Sequence, residues 1–136
     1  MKRYINKKLI FIVLGIVSFS SCGDLENSIT YPVYTNIEYW SMPDTVAVNS
    51  SFNVYVSSSI DNTCLKNMYF TMSKSVDEKN YLIWPTATFE NHGEICNELK
   101  VPFDSTFHIT ITAVGKYYFY FKYDNSSKKD SIFIKP

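Results

Sequence analysis

Apolar and polar side chains alternate with a period of two along most of the chain after residue 36. The alternation is strict in the segment Phe107–Thr112, and the segment Phe52–Ser57 shows the same pattern. Such alternation is typical of a strand that is buried on one face only. The pattern predicts about seven to nine short strands, with further runs at residues 37–40, 45–48, 68–72, 81–88, 95–101, 117–123 and 131–134.

The composition also favours strands. Aromatic residues make up 17% of the chain, with eleven Tyr and ten Phe, whereas there are only four Gly. Aromatic side chains fit the pleated, half-buried surface of a sheet. A chain of 136 residues has room for one domain. We interpret the polar clusters between these runs as turns, at residues 49–51, 58–62, 75–80 and 124–129. We therefore expect an all-β fold, an antiparallel two-sheet sandwich over residues 37–136.

One short motif indicates a more specific fold. The segment Gly115-Lys116-Tyr117-Tyr118-Phe119 resembles the Gly-x-Tyr-x-Cys element of immunoglobulin-like domains. The resemblance implies that Tyr117 begins the penultimate strand and hydrogen-bonds back across a corner. It also implies that Phe119 takes the place of the usual core Cys. The chain is therefore similar to the broad immunoglobulin-like class of bacterial surface proteins.

The first 22 residues have the zones of an export signal. Basic residues up to Lys8 precede an apolar run from Leu9 to Phe19, and Ser20 and Ser21 lead to Cys22. An apolar run of this length is too short to span a bilayer core of about 30 Å, but it suits a secretory signal peptide. The segment Phe19-Ser20-Ser21-Cys22 resembles the lipobox of Bacteroidota lipoproteins. The resemblance implies a signal peptide at residues 1–21, acylation of Cys22 and a tether over residues 22–36.

The charge is unevenly distributed, although the formal net charge is zero. Four of the thirteen basic residues lie in the first eight positions, so removal of the signal peptide leaves nine basic and thirteen acidic residues. A mildly acidic domain without a basic stripe is unsuited to a phosphate backbone. We therefore expect no nucleic-acid partner.

The three cysteines divide into one plus two. If Cys22 is acylated, Cys64 and Cys96 remain as a pair in an oxidising compartment. No His and Cys stand nearby at metal-ligand spacing. A structural disulfide between Cys64 and Cys96 is therefore favoured over a reactive thiol or a metal site.

The sequence contains little that indicates catalysis. Glu90, His92 and Glu94 could gather a metal ion in a loop, but their spacing matches no established site. His108 lies on the polar side of its strand and is expected to face solvent. No nucleophile elbow, phosphate loop or zinc-protease motif is present in the sequence. We expect a protein that is not an enzyme and that has no cofactor and no metal.

The aromatic segment Tyr117–Tyr123 carries the candidate binding residues. Alternation directs Tyr117, Phe119, Phe121 and Tyr123 inward, and it directs the remaining side chains outward. Outward tyrosines offer rigid amphipathic surface for proteins or sugars, although they can also simply cover neighbouring side chains. The candidate binding surface consists of Tyr118 and Tyr120 together with Trp40 and Trp84.

Three short motifs concern modification. Asp44-Thr45, Asp104-Ser105 and Asp130-Ser131 each resemble the Asp-Ser/Thr acceptor motif of O-glycosylation in Bacteroidota. The resemblance implies Thr45, Ser105 and Ser131 as candidate acceptors. The alternative is ordinary turn chemistry, since Asp-Ser/Thr is common where strands begin.

Together these features predict an envelope lipoprotein, held in the outer membrane by its lipid and facing the periplasm or the cell surface. We expect a binding or structural role for it, with a protein or a glycan as the partner. The alternative is a carbohydrate-binding accessory of a polysaccharide uptake system, which requires the exposed aromatic residues to share one shallow platform.

Overall fold

Nine strands and no helix make up residues 28–136, the part of the chain that the computed structural model describes. The predicted signal peptide and Cys22 lie outside the described residues. Within this range there is accordingly no apolar helix that is long enough to cross a membrane. The strands are β1 (Ile29–Tyr34), β2 (Ile37–Ser41), β3 (Thr45–Ala47), β4 (Ser51–Asn62), β5 (Leu65–Lys74), β6 (Asn80–Asn91), β7 (Glu98–Thr110), β8 (Gly115–Tyr123) and β9 (Ser126–Lys135).

The strands form two sheets, which confirms the prediction of a β-sandwich. The smaller sheet has the order β2-β4-β7. The larger sheet runs β3-β9-β8-β6, with β5 on the far side of β6 and β1 beside the second half of β6. The pairings are antiparallel except for β3 with β9 and β6 with β8, which are parallel. The expectation of wholly antiparallel sheets is therefore wrong for these two pairs.

One edge of β6 pairs with two other strands, because β6 is long enough for both. Residues 80–83 of β6 pair with β8, and residues 86–91 pair with β1. The segment that contains β1 was interpreted as part of a tether. The structure instead places Ile29–Tyr34 in the larger sheet, so the sandwich begins at Ile29 and not at residue 37.

Alternation along the strands builds the core, as the sequence predicts. Val54 and Val56 of β4 face Phe119 and Phe121 of β8 across the sandwich, and all four are fully buried. Phe119 stacks on Tyr81 with ring centroids 4.7 Å apart. Burial of these apolar side chains is the main force that holds the two sheets together.

The segment 58–62, predicted to be a turn, is instead the end of β4. Ser58 is buried there, and its hydroxyl donates a hydrogen bond of 2.5 Å to the Asn36 carbonyl. A buried serine that has a hydrogen-bond partner is tolerated inside a sandwich. Composition alone could not distinguish this arrangement from a solvated turn.

The predicted tyrosine corner is present. The Tyr117 hydroxyl donates a hydrogen bond of 2.9 Å to the Ala113 carbonyl. Gly115, between them, has a φ of 145°, a conformation that L side chains rarely adopt. Phe119 is buried at the position where antibody-type domains have a Cys. The expected hydrogen bond of Tyr117 across the corner is therefore confirmed.

The predicted disulfide is also confirmed. Cys64 and Cys96 are bonded, with their Cα atoms 5.3 Å apart. The bond ties the turn between β4 and β5 to the loop that precedes β7. The Asn91 side chain organises that loop, because its Oδ1 accepts hydrogen bonds from the amides of Gly93 and Glu94.

Candidate functional site

The outer face of the larger sheet carries six large apolar or aromatic side chains. Leu82 of β6 pairs with Tyr120 of β8, and Trp84 is the next outward residue of β6. Tyr34 of β1 and Tyr69 of β5 both pair with Thr86, from opposite sides. Because paired residues share a face of the sheet, these side chains lie together. We call this surface the aromatic face, and its members are Tyr34, Tyr69, Leu82, Trp84, Tyr118 and Tyr120.

The aromatic face is open to solvent. Tyr34 is 63% exposed, Tyr69 54% and Leu82 40%, while Trp84, Tyr118 and Tyr120 are half-buried. Tyr34, Leu82 and Trp84 line a shallow depression of about 210 Å³ together with the stem of Lys122. Such a depression suits a ligand that lies across the sheet better than one enclosed in a pocket.

Lysine ammonium groups lie over the outward tyrosine rings. The Lys129 Nζ is 3.8 Å from the centroid of the Tyr118 ring and 5.7 Å from that of Tyr120. The Lys116 Nζ is 5.6 Å from the Tyr118 ring. These distances allow cation–π attraction, which is worth about 0.5–1 kcal/mol at exposed sites. The lysines therefore cover the outward tyrosine rings, and a ligand that contacts these rings has to displace them.

Three of the four predicted binding residues come together, and one does not. Trp84, Tyr118 and Tyr120 are on the aromatic face. Trp40 instead lies half-buried between the sheets, where its ring stacks on Phe121 at 4.6 Å. An irregularity in the pairing of β2 between Ile37 and Tyr39 is the cause. Because of this shift Ile37 and Trp40 both face inward, although they are three residues apart. A strict alternation with a period of two would place them on opposite faces of the strand.

Tyr123 also differs from the prediction. It was expected to face the core with the rest of its alternating set, but it is 36% exposed at the end of β8. The Lys128 Nζ lies 3.8 Å from its ring centroid. The Tyr123 ring at the end of β8 is therefore covered by a lysine side chain.

Three of the six residues of the aromatic face were not predicted from the sequence. Tyr34 lies in the segment interpreted as a tether, and Leu82 lies in a run with weak alternation. A signal for Tyr69 was available, because the alternation of residues 68–72 places it opposite to Phe70. Phe70 indeed faces inward, 4.9 Å from the ring of Phe103 in the smaller sheet.

The three candidate glycosylation acceptors lie in different surroundings. Thr45 pairs with Phe133, and Ser131 pairs with Tyr118, so both are on the outer side of the larger sheet. Ser105 pairs with the buried Val56 and is half-buried on the inward side of β7. We therefore expect Ser105 to be the least accessible acceptor of the three.

The histidines and their neighbours form no metal cluster in the part of the chain that the structure describes. Glu90 accepts a hydrogen bond of 3.3 Å from the Asn67 side chain, and His92 is exposed in the loop. His108 is exposed, as predicted, and its Nδ1 is 2.7 Å from the Asn53 Oδ1 on the outer side of the smaller sheet.

No protein-family model, curated protein sequence or solved structure matches the chain.

Proposed function

We propose that the protein is a lipid-anchored lipoprotein of the cell envelope that binds its ligand through the aromatic face and does not catalyse a reaction. The observation that carries this proposal is the placement of six large side chains, from β1, β5, β6 and β8, on one outward surface. Contiguous exposed apolar surface on a small domain is typical of an interaction site.

Carbohydrate is the ligand class that this surface favours. The hypothesis of a carbohydrate-binding accessory requires that the exposed aromatic residues share one shallow platform. Trp84 and the outward tyrosines meet that requirement, and Trp40 does not. Flat aromatic rings offer apolar surface to a sugar ring, and tyrosine hydroxyls and displaced lysines can bond its polar groups. The shallow depression beside Trp84 suits an extended chain.

The binding proposal is tested by retention of the purified full-length protein on a panel of immobilised polysaccharides. We expect Trp84→Ala and the double variant Tyr118→Ala/Tyr120→Ala each to weaken retention about tenfold or more. Tyr39→Ala is the matched control, because Tyr39 is 56% exposed but lies on the outer side of the smaller sheet. Thermal melting of each variant verifies that the fold is intact.

Two results would overturn the proposal. One is retention of the wild-type protein on none of the polysaccharides. The other is an equal loss of retention with the Tyr39→Ala control, because that variant leaves the aromatic face unchanged.

The anchor is tested separately with Cys22→Ala in native membranes. We expect the variant to leave the membrane fraction, because several acyl chains give stable anchoring. For the wild-type protein we expect an intact mass equal to residues 22–136 plus acyl groups, minus the two hydrogens of the disulfide. An unmodified full-length mass would contradict the lipoprotein proposal and leave the binding proposal standing.

A further inference from the structure

The outer side of the larger sheet is basic, although the domain is not. Residues 28–136 contain nine lysines and eleven acidic residues. The outward strand positions of the larger sheet, however, carry five lysines and one carboxylate, that of Glu90. The remaining acidic residues lie at other positions. The five lysines are Lys66, Lys116, Lys122, Lys129 and Lys135.

Three of these lysines lie beside residues of the aromatic face. Lys122 lines the same depression as Tyr34 and Trp84. Lys129 reaches over Tyr118 and Tyr120, and Lys116 reaches over Tyr118 from the other side along the strand. Glu90 is at the far end of β6, opposite Thr30 of β1. A ligand that contacts the rings would therefore lie within reach of three ammonium groups.

We infer that the ligand of the aromatic face is an anionic polysaccharide, with carboxylate or sulfate groups on its sugar rings. This inference rests on the proposed function and specifies its ligand class. Sugar rings would stack on Trp84 and the outward tyrosines, and the lysines would leave the tyrosine rings to pair with the acidic groups. A concentration of one sign of charge on one surface attracts a ligand of opposite sign. A neutral glycan would gain nothing from this distribution.

Charge variants on the full-length protein test the inference. The triple variant Lys116→Gln/Lys122→Gln/Lys129→Gln removes the charges next to the rings. The control is Lys100→Gln/Lys128→Gln, which removes charge from the smaller sheet and from the inward side of β9, away from the aromatic face. Lys100 forms a surface ion pair with Glu38, and such pairs contribute little stability. Lys128 lies over the rings of Trp40 and Tyr123, so thermal melting verifies that the control variant is folded.

The probes are polygalacturonate for carboxylate, chondroitin sulfate for sulfate, and dextran as a neutral chain. We expect an acidic chain to bind more tightly than dextran, with Kd rising as salt is added. The triple variant should weaken that binding about tenfold or more, and the control variant less than about twofold. Whichever acidic chain is retained by the wild-type protein identifies the anionic group.

The outcomes separate this inference from the proposed function. If dextran binds as tightly as the acidic chains and the lysine variants have no effect, the anionic ligand is overturned and carbohydrate binding stands. If no polysaccharide binds, both fail. The last measurement is binding of the protein to vesicles with and without phosphatidylglycerol. Recruitment that depends on phosphatidylglycerol and on the three lysines, without polysaccharide binding, would overturn the inference in favour of a membrane surface.

Discussion

The indole Nε1 of Trp40 donates a hydrogen bond of 2.9 Å to the Oδ2 of Asp130, ninety residues further along the chain. Trp40 belongs to the smaller sheet and Asp130 to the larger one, so this bond joins the two sheets. Lys128 also approaches the indole, with its Nζ 5.9 Å from the ring centroid. A polar contact therefore closes the sandwich at the point where its apolar core ends.

The substitution Trp40→Phe should destabilise the protein by about 1–3 kcal/mol, because it leaves the Oδ2 of the half-buried Asp130 carboxylate without the indole donor, while the Ser131 amide still donates to Oδ1. The free energy of unfolding in urea measures the effect. Trp84→Phe is the control, since the Trp84 ring lies on the aromatic face, and we expect a change below about 0.5 kcal/mol there. Equal losses in the two variants would show that the indole bond to Asp130 contributes nothing.

Removal of the Tyr117 hydroxyl tests the tyrosine corner. Tyr117→Phe keeps the buried ring but leaves the Ala113 carbonyl without its hydroxyl donor. We expect a loss of about 0.5–1.5 kcal/mol in the free energy of unfolding. Tyr120→Phe on the same strand is the matched control and should have almost no effect. A Tyr117→Phe variant as stable as the wild type would indicate that the corner is held by Gly115 and by packing alone.

Loss of the disulfide should have a larger effect. The bond joins residues that are 32 positions apart, and closing a loop of this size stabilises a fold by about 3–4 kcal/mol on the chain-entropy estimate. The double variant Cys64→Ser/Cys96→Ser should therefore unfold at clearly lower urea concentration. Adding a reductant to the wild-type protein should reproduce the loss and should not change the double variant further. If the reductant also destabilised the double variant, its effect on the wild-type protein could not be assigned to the Cys64–Cys96 bond.

Glu38 makes the stability of the fold depend on pH in the acid range. Its pKa is lowered, first by the hydrogen bond that the Ser59 hydroxyl donates and then by Lys100, whose Nζ is 3.1 Å away. A carboxylate with a lowered pKa stabilises the fold above its ordinary pKa of about 4.3, and this contribution is lost as the pH falls through the lower, folded value.

Glu38→Gln should therefore reduce the loss of stability between neutral pH and the acid range, and it should do so mainly below pH of about 4.3. Urea unfolding at a series of pH values measures this dependence. Ser59→Ala should have an effect in the same direction, because it removes the larger cause of the shift. An unchanged acid dependence in both variants would contradict the assignment.

Alternation predicted much of this fold because it is a local property of a strand. Tyr117, Phe119 and Phe121 face inward, as two-residue periodicity requires, and Tyr118 and Tyr120 therefore face outward. Trp40 could not be placed in this way, because the irregularity in β2 depends on how that strand pairs with β4.

The composition of the aromatic face could be predicted only in part. The parallel pairing of β6 with β8 brings Leu82 beside Tyr120, and such a contact depends on tertiary structure. Tyr34 joins them because β1 pairs with the remaining edge of β6, which is a long-range contact. The segregation of lysines onto the same surface also depends on these long-range pairings, since the lysines are scattered along the chain.

If the domain is anchored through Cys22 as proposed, the position of β1 has a mechanical consequence. Ile29 lies opposite Asn91, so the chain enters the sheet where β6 ends, whereas Tyr118 and Tyr120 lie beside Asn80 and Leu82 at its start. A tether pulling ahead of Ile29 and a ligand held at those tyrosines would load the sheet along its strands from opposite ends. The six residue pairs between β1 and β6 would bear that load together in shear, instead of opening one after another as in a strand that is peeled away.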